Sequence, residues 1–346
     1  YEHPLSSLIS VEMKYWQLDR QAIRHFADHG LSRLEDLREL ILHDCAPIPA
    51  SDMAAIMRSL RYKPDFQNLC LSNCQVDDDA MESLVQYLPG VEDDLNNLDL
   101  DVGGNNITNP QVVRGLVSLP QIGILDLSYI HFTKEVCVAI GDALSANTTL
   151  ERLRMDYCKI DDDMCVEVAR GLAAEGAATN LAHLHLVENA IGDEGVICLS
   201  QAIERHENKL ATLDLSANRI GNAGAVELST MFRTNSVLKL VCLRDNKILE
   251  EGEKAIVDAM EVNRTIETLV FKIEPDCPLK DLVDFRTACN ALHFWNTLQD
   301  ENAKVPWDRV FHVLNRRDRY APSMTYFVLK NRPDIVLHLA NDMRQE

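Results

Sequence analysis

Three kinds of residue in this chain could do chemistry. His183 and His185 stand two apart, so on an extended segment both rings share one face, where Asp156 or Asp214 could complete a metal site. Zinc needs ligands that converge on a tetrahedron, whereas side chains standing off a flat surface splay apart. Gly103-Gly104 could approach a phosphate, but the further glycine, the lysine and the helix of a phosphate cradle do not follow it. Ten cysteines are spread along the chain without a C-x-x-C pair, and Cys70-x₃-Cys74 alone specifies little; reduced structural thiols are expected. H-E-x-x-H, G-x-x-x-x-G-K-[ST] and G-x-S-x-G are all absent. The expectation is a non-catalytic protein without cofactor or metal.

What recurs instead is carboxylate. The 346 residues carry 54 Asp/Glu against 34 Lys/Arg, a formal net charge of −20. Residues 272–346 hold 11 of each sign, so the excess lies upstream of them. Such a charge opposes a polyanion and excludes nucleic acid as the expected partner, while it steers a basic protein inward. Not every acid serves that end. Asp77-Asp78-Asp79 and Asp161-Asp162-Asp163 fall where helical patterns begin, and there negative charge complements the helix dipole. Glu92-Asp93-Asp94 reads as solubilising charge.

The elements that must position these groups are periodic. Leu181-x-x-Leu184-x-Leu186-x-x-Asn189-x-Ile191 is repeated as Leu210-x-x-Leu213-x-Leu215-x-x-Asn218-x-Ile220. The alternating leucines predict a short strand, and the asparagine bonds backbone groups where the chain turns off it, a role cysteine also fills. Gly192-Asp193 then caps a helix carrying Val196, Leu199 and Ile203 at helical spacing. Starting at Leu8, Leu37, Phe66, Leu95, Ile122, Leu150, Leu181, Leu210, Leu238 and Ile266, ten copies lie 27 to 31 residues apart. One copy cannot bury its own apolar face, so the copies stack. The first copy places Trp16 at the asparagine position and a helix over 19–29; the last breaks at Glu274-Pro275. In the fourth, Asp101-Val102-Gly103-Gly104-Asn105-Asn106-Ile107 reads as two residues too long, predicting a bulge at the rim of the concave face. In the sixth, 173–180 lengthens the return to the strand.

This pattern resembles the leucine-rich repeat, and its long unit resembles the ribonuclease-inhibitor-like subfamily. The resemblance implies an α/β solenoid, or horseshoe, with a parallel concave sheet and convex helices over residues 1–272. The segment 273–346 reads as a helical C-terminal cap that covers the open end. Helices are predicted over 279–298, 307–314, 322–330 and 333–341, with Pro306, Pro322 and Pro333 near starts. Phe294-Trp295, Trp307, Tyr326-Phe327 and Pro333 also resemble the C-terminal extension of diatom and algal repeat proteins of this subfamily.

The concave face follows from the strand register. The position between the two leucines runs through Asp99, Asp126, Arg154, His185 and Asp214; the next through Asp101, Asp156 and Arg244; the third through Tyr129, Tyr157, Glu188 and Asp245. The candidate partner-binding residues are therefore Asp99, Asp101, Asp126, Tyr129, Arg154, Asp156, Tyr157, His185, Glu188, Asp214 and Asp245. An acidic stripe flanked by two tyrosines suits a basic protein partner, with the chain as scaffold or accessory subunit, possible in a larger complex. The alternatives are a regulator of a small GTPase, since the Ran GTPase-activating family is similar in repeat type and acidity, and a stoichiometric inhibitor of a basic enzyme. The arginine-bearing N-terminal loop of that GTPase-activating family has no counterpart here. No apolar leader stands at Tyr1 and no apolar run is long enough to span a bilayer. An intracellular, simplest a cytoplasmic, setting is expected, with an organelle interior open should a leader precede Tyr1.

Overall fold

The computed structural model describes residues 8–15, 20–61, 63–88, 97–174, 180–204 and 209–271, together with Val283, Thr287 and Asn290. The strands are β1 (Ser10–Lys14), β2 (Glu39–His43), β3 (Asn68–Cys70), β4 (Leu98–Asp101) and β5 (Ile122–Asp126). They continue as β6 (Arg152–Arg154), β7 (His183–His185), β8 (Thr212–Asp214), β9 (Leu240–Cys242) and β10 (Thr268–Val270). Among the described residues they form a single sheet in sequence order, each pair parallel. Between them run the helices α1 (Arg20–His25), α2 (Ala50–Leu60), α3 (Asp78–Tyr87), α4 (Pro110–Val117) and α5 (Lys134–Leu144). The series ends with α6 (Asp162–Leu172), α7 (Asp193–Glu204), α8 (Asn222–Thr234) and α9 (Glu250–Met260). This is the expected α/β solenoid. The chain beyond α1 departs from the expected single helix: it continues as a π-helical turn over Phe26–Gly30 and a 3₁₀ turn over Leu31–Arg33.

The register explains the core. Leu40, Leu69, Leu100, Leu125, Leu153, Leu184, Leu213 and Val241 are aligned on successive strands, and every one is fully buried. At the end of each strand the chain turns inward through a polar ladder. Asn189 accepts from the N–H groups of Cys158 (3.1 Å) and Ile160 (3.0 Å) and donates to Met155 O (2.8 Å). Asn105, Asn218 and Asn246 repeat that arrangement. Where cysteine replaces asparagine, Cys74 and Cys158 Sγ donate to Leu42 O and Leu127 O, each at 3.2 Å. Burial pushes the thiol of Cys74 up to about 12, so these cysteines stay protonated and structural.

The helices are capped across repeats. Asp77 and Asp161 accept from Ala80 N (2.9 Å) and Met164 N (3.0 Å) in their own helices, as N-caps do. The next aspartate in each triplet accepts from backbone N–H groups of the following repeat, just before α4 for Asp78 (α4 itself is capped by Asn109) and at the start of α7 for Asp162. Asp78 Oδ1 accepts from Thr108 N (2.9 Å) and Asn109 N (3.0 Å), and Asp162 Oδ1 from Gly192 N (2.6 Å) and Gly195 N (2.9 Å). Asp193 does the same for Gly221 and Gly224, and Asn222 for Leu249 and Gly252. Asp193 therefore caps α8, whereas α7 is capped from the repeat before it by Asp162.

The expected bulge at Gly103-Gly104 is not there. Asn105 and Ile107 occupy the asparagine and isoleucine places, so the fourth copy is Leu100-x-Val102-x-x-Asn105-x-Ile107 and has the regular length at this turn. The irregularity lies before it, where β4 and β5 shift register: Leu98 faces Ile122 and Asp99 faces Ile124. Gly123 is the residue passed over, and a Cβ there would collide with the side chain of Asn97. The lengthened connection of the sixth copy and the helices expected in the C-terminal cap fall largely outside the described residues. Val283, Thr287 and Asn290, at i, i+4 and i+7, are helical and buried. Asn290 donates to Ile266 O at 2.8 Å in the last repeat.

Candidate protein-binding surface

The site is the concave side of the sheet and the turns that leave it. The residue in each turn sits at a φ between 53° and 68°: Tyr15, Asp44, Asn73, Gly104, Tyr129, Tyr157, Glu188, Ala217 and Asp245. Left-handed backbone is costly for most side chains, and here the neighbouring turn holds it in place. Tyr129 N donates to Asp156 O (2.8 Å), Tyr157 N to Val187 O (2.9 Å) and Glu188 N to Ser216 O (3.0 Å). Adjacent strands thereby carry these side chains as a ladder. Tyr129 and Tyr157 stack on it, ring centroids 4.6 Å apart and planes within 9°. The two residues remain 61% and 41% exposed, so the pair lies on the surface rather than in the core.

Five strands bring the charged candidates together. In the position between the inward residues, Asp101, Asp126, Arg154, His185 and Asp214 are consecutive neighbours from β4 to β8. Arg154 bridges two carboxylates, Nη1 to Asp126 Oδ2 and Nη2 to Asp156 Oδ2, each at 3.2 Å. Burial works against its charge, but Asp126 and Asp156 outweigh that and hold the guanidinium above its ordinary value. Several carboxylates also order the turns. Asp101, Asp126 and Asp214 each accept from the N–H two residues on, at 2.9, 2.9 and 3.0 Å.

Two expected positions need correction. Asp99 and Asp101 each lie one place earlier along the strand than the sequence pattern suggested. Asp101 stands beside Cys70 and Asp126, while Asp99 stands beside Asn68 and Ile124, and Val102 is buried in the core. The sequence pattern takes Leu98 and Leu100 as the inward pair of the fourth copy, where the structure has Leu100 and Val102. Because strand residues alternate in twos, the shift kept the right face but moved each residue along it. Asp156 is placed differently as well. It is only 5% exposed, and its Oδ1 accepts from Val187 N at 2.8 Å, so it orders the sheet rather than facing a partner. Glu188 and Asp245 are exposed on the turn ladder as expected.

The sequence pattern puts Val102 in the tyrosine ladder between Asn73 and Tyr129, whereas the structure puts Gly104 there. Asn105-x-Ile107, spaced like Asn189-x-Ile191, is the signal that finds it. Asp99 is partly buried; burial, then the charge of Asp101, raises its carboxyl above the ordinary range. His185 is lowered by burial, against the pull of Asp156 and Asp214. His183 Nδ1 lies 2.9 Å from Thr212 Oγ1, and among the described residues no group of three or more His, Cys, Asp or Glu is arranged to hold a metal ion. Nor is any described helix long and apolar enough to cross a membrane.

Comparison with known proteins agrees with the repeat geometry. The leucine-rich repeat family model matches residues 146–163, 177–200 and 206–229, the copies around β6 to β8. The chain is a leucine-rich repeat protein of the ribonuclease-inhibitor-like type. It is 25% identical over 215 residues to the human (Homo sapiens) NACHT, LRR and PYD domains-containing protein 13, covering 62% of this chain and 18% of that one. To the RAN GTPase-activating protein 2 of Arabidopsis thaliana it is 31% identical over 151 residues, 43% of this chain and 27% of the relative. To the ribonuclease inhibitor of Sus scrofa it is 23% identical over 251 residues, 71% and 51% respectively. This repeat protein thus spans between about a fifth and a half of the length of these curated relatives.

Proposed function

We propose that this repeat protein binds a basic protein through its concave face and acts as a non-catalytic scaffold or accessory subunit. The observation that carries the reading is a row of carboxylates left without a cation. Arg154 is tied to Asp126 and Asp156, but Asp99, Asp101, Glu188, Asp214 and Asp245 have no ion-pair partner among the described residues. Unpaired charge of one sign on a concave sheet raises the encounter rate with the opposite sign.

The test is to isolate partners from the native source on immobilised wild type and on Asp101→Asn/Glu188→Gln/Asp214→Asn/Asp245→Asn. Asparagine keeps an acceptor for the turn N–H groups, so the variant retains the fold. A partner held by wild type and released by the variant, with association slowing steeply as salt rises, is the expected result. Retention by both, with association indifferent to salt, overturns the reading. The likeness to the RAN GTPase-activating protein 2 favours a second reading, regulation of a small GTPase. Acceleration of GTP hydrolysis by a Ran-type GTPase on addition of the chain would establish it.

A further inference from the structure

The turn ladder is interrupted at one rung. Tyr129 shares one ring face with Tyr157, and its other face looks onto Gly104, which has no side chain. A Cβ at Gly104 would collide with the side-chain amide of Asn73, so that amide occupies the foot of the gap. Beyond that amide the outer part of the Tyr129 side chain stands free, in a residue 61% exposed, with no side chain on Gly104 to cover it. Beside this gap stands Asp101, whose carboxylate has no cationic partner among the described residues. One strand further on, the chain shows what suits such a place: the guanidinium of Arg154, paired with Asp126.

We propose that the open face of Tyr129 above Gly104 receives an arginine side chain of the protein partner, its guanidinium stacked on the ring and paired with Asp101. The inference rests on the reading that the concave face takes a basic protein, and it adds which cation is chosen and where. Charge alone would take lysine equally well. The exposed ring favours arginine, because a guanidinium is planar, weakly hydrated and stacks, whereas an ammonium gives up more water to approach a ring face.

The probes are labelled octa-arginine and octa-lysine peptides, titrated against the full chain at physiological salt. Wild type is expected to bind octa-arginine about fivefold more tightly than octa-lysine, the range of an exposed cation–ring contact. Tyr129→Leu is expected to abolish that preference, bringing the octa-arginine affinity down to that of octa-lysine. Since Tyr129 is mostly exposed, an unaltered thermal melt confirms that the variant is folded. Asp101→Asn should weaken both peptides. Equal binding of the two peptides by wild type, or a preference that survives Tyr129→Leu, overturns the arginine site but leaves the acidic face in place. Failure of both peptides to bind removes the acidic-face reading, and the arginine site with it.

Discussion

Leu213 stands in the middle of the leucine ladder, fully buried between Leu184 and Val241. Leu213→Ala is expected to lower the unfolding free energy by about 2–5 kcal/mol, the usual range for a core leucine that leaves a cavity. Its neighbour Thr212 is half-buried on the opposite face and has a contact with His183 to lose, so Thr212→Ala should cost about 1 kcal/mol or less. Denaturant titration of both variants checks this, and equal losses would mean a register wrong by one residue. At this scale the sequence told inward from outward reliably, because a period of two is robust to any even shift. It told position along the strand only where the asparagine was used as the anchor. Asp101 was displaced because leucines occur at both Leu98 and Leu100, and the strand pattern alone cannot choose between them. Asp156 misled for a different reason. A carboxylate on the concave face reads the same in sequence whether it faces solvent or is consumed by Val187 N and Arg154.

Between elements, the connection that matters is the relay of acids at the helix starts. Each cap links one repeat to the next, so it serves both the helix and the stacking of helices. Asp162→Ala removes the acceptor for Gly192 N and Gly195 N and is expected to cost about 0.5–2 kcal/mol, as loss of an N-cap does. Asp162→Asn, which keeps an acceptor oxygen, should recover most of it. Asp163→Ala, whose carboxylate is exposed and meets Lys134 Nζ at 3.4 Å, should be nearly silent. Thermal melts of the three variants separate capping from bulk charge: a loss shared by Asp163→Ala would make the triplet a matter of electrostatics alone. The dipole argument placed these aspartates correctly from sequence but could not reveal that the second of each triplet serves another repeat. That pairing spans about 30 residues and exists only once the stack has formed. The same holds for Asn147 and Asn263, which are buried and donate across repeats to Val117 O and Phe232 O, each at 2.8 Å.

Over the whole molecule, stacking creates an end that must be covered. The last strand leaves Leu269 at one edge of the stack, and no eleventh repeat follows it in the sheet of the described residues. Three residues beyond the repeats bear on that edge. Val283, Thr287 and Asn290 are buried, and Asn290 meets Ile266 O at 2.8 Å and Asn263 Oδ1 at 3.4 Å. Asn263 is itself the residue that ties its own repeat to the one before, so Asn290 extends the chain of cross-repeat contacts outward. We therefore propose that the segment after residue 272 is a cap on the solenoid, as its aromatic, neutral sequence suggested. A chain ending at Phe271 is expected to melt at a lower temperature than the full chain and to self-associate, because the exposed layer of leucines is a docking surface for a second copy. The single change Asn290→Ala should cost about 1–3 kcal/mol by leaving a buried carbonyl without its donor. Calorimetry and sedimentation velocity on both proteins decide the matter. A truncated chain that is monomeric and melts with the full one would show that the repeats close themselves, and that the aromatic tail serves a partner instead.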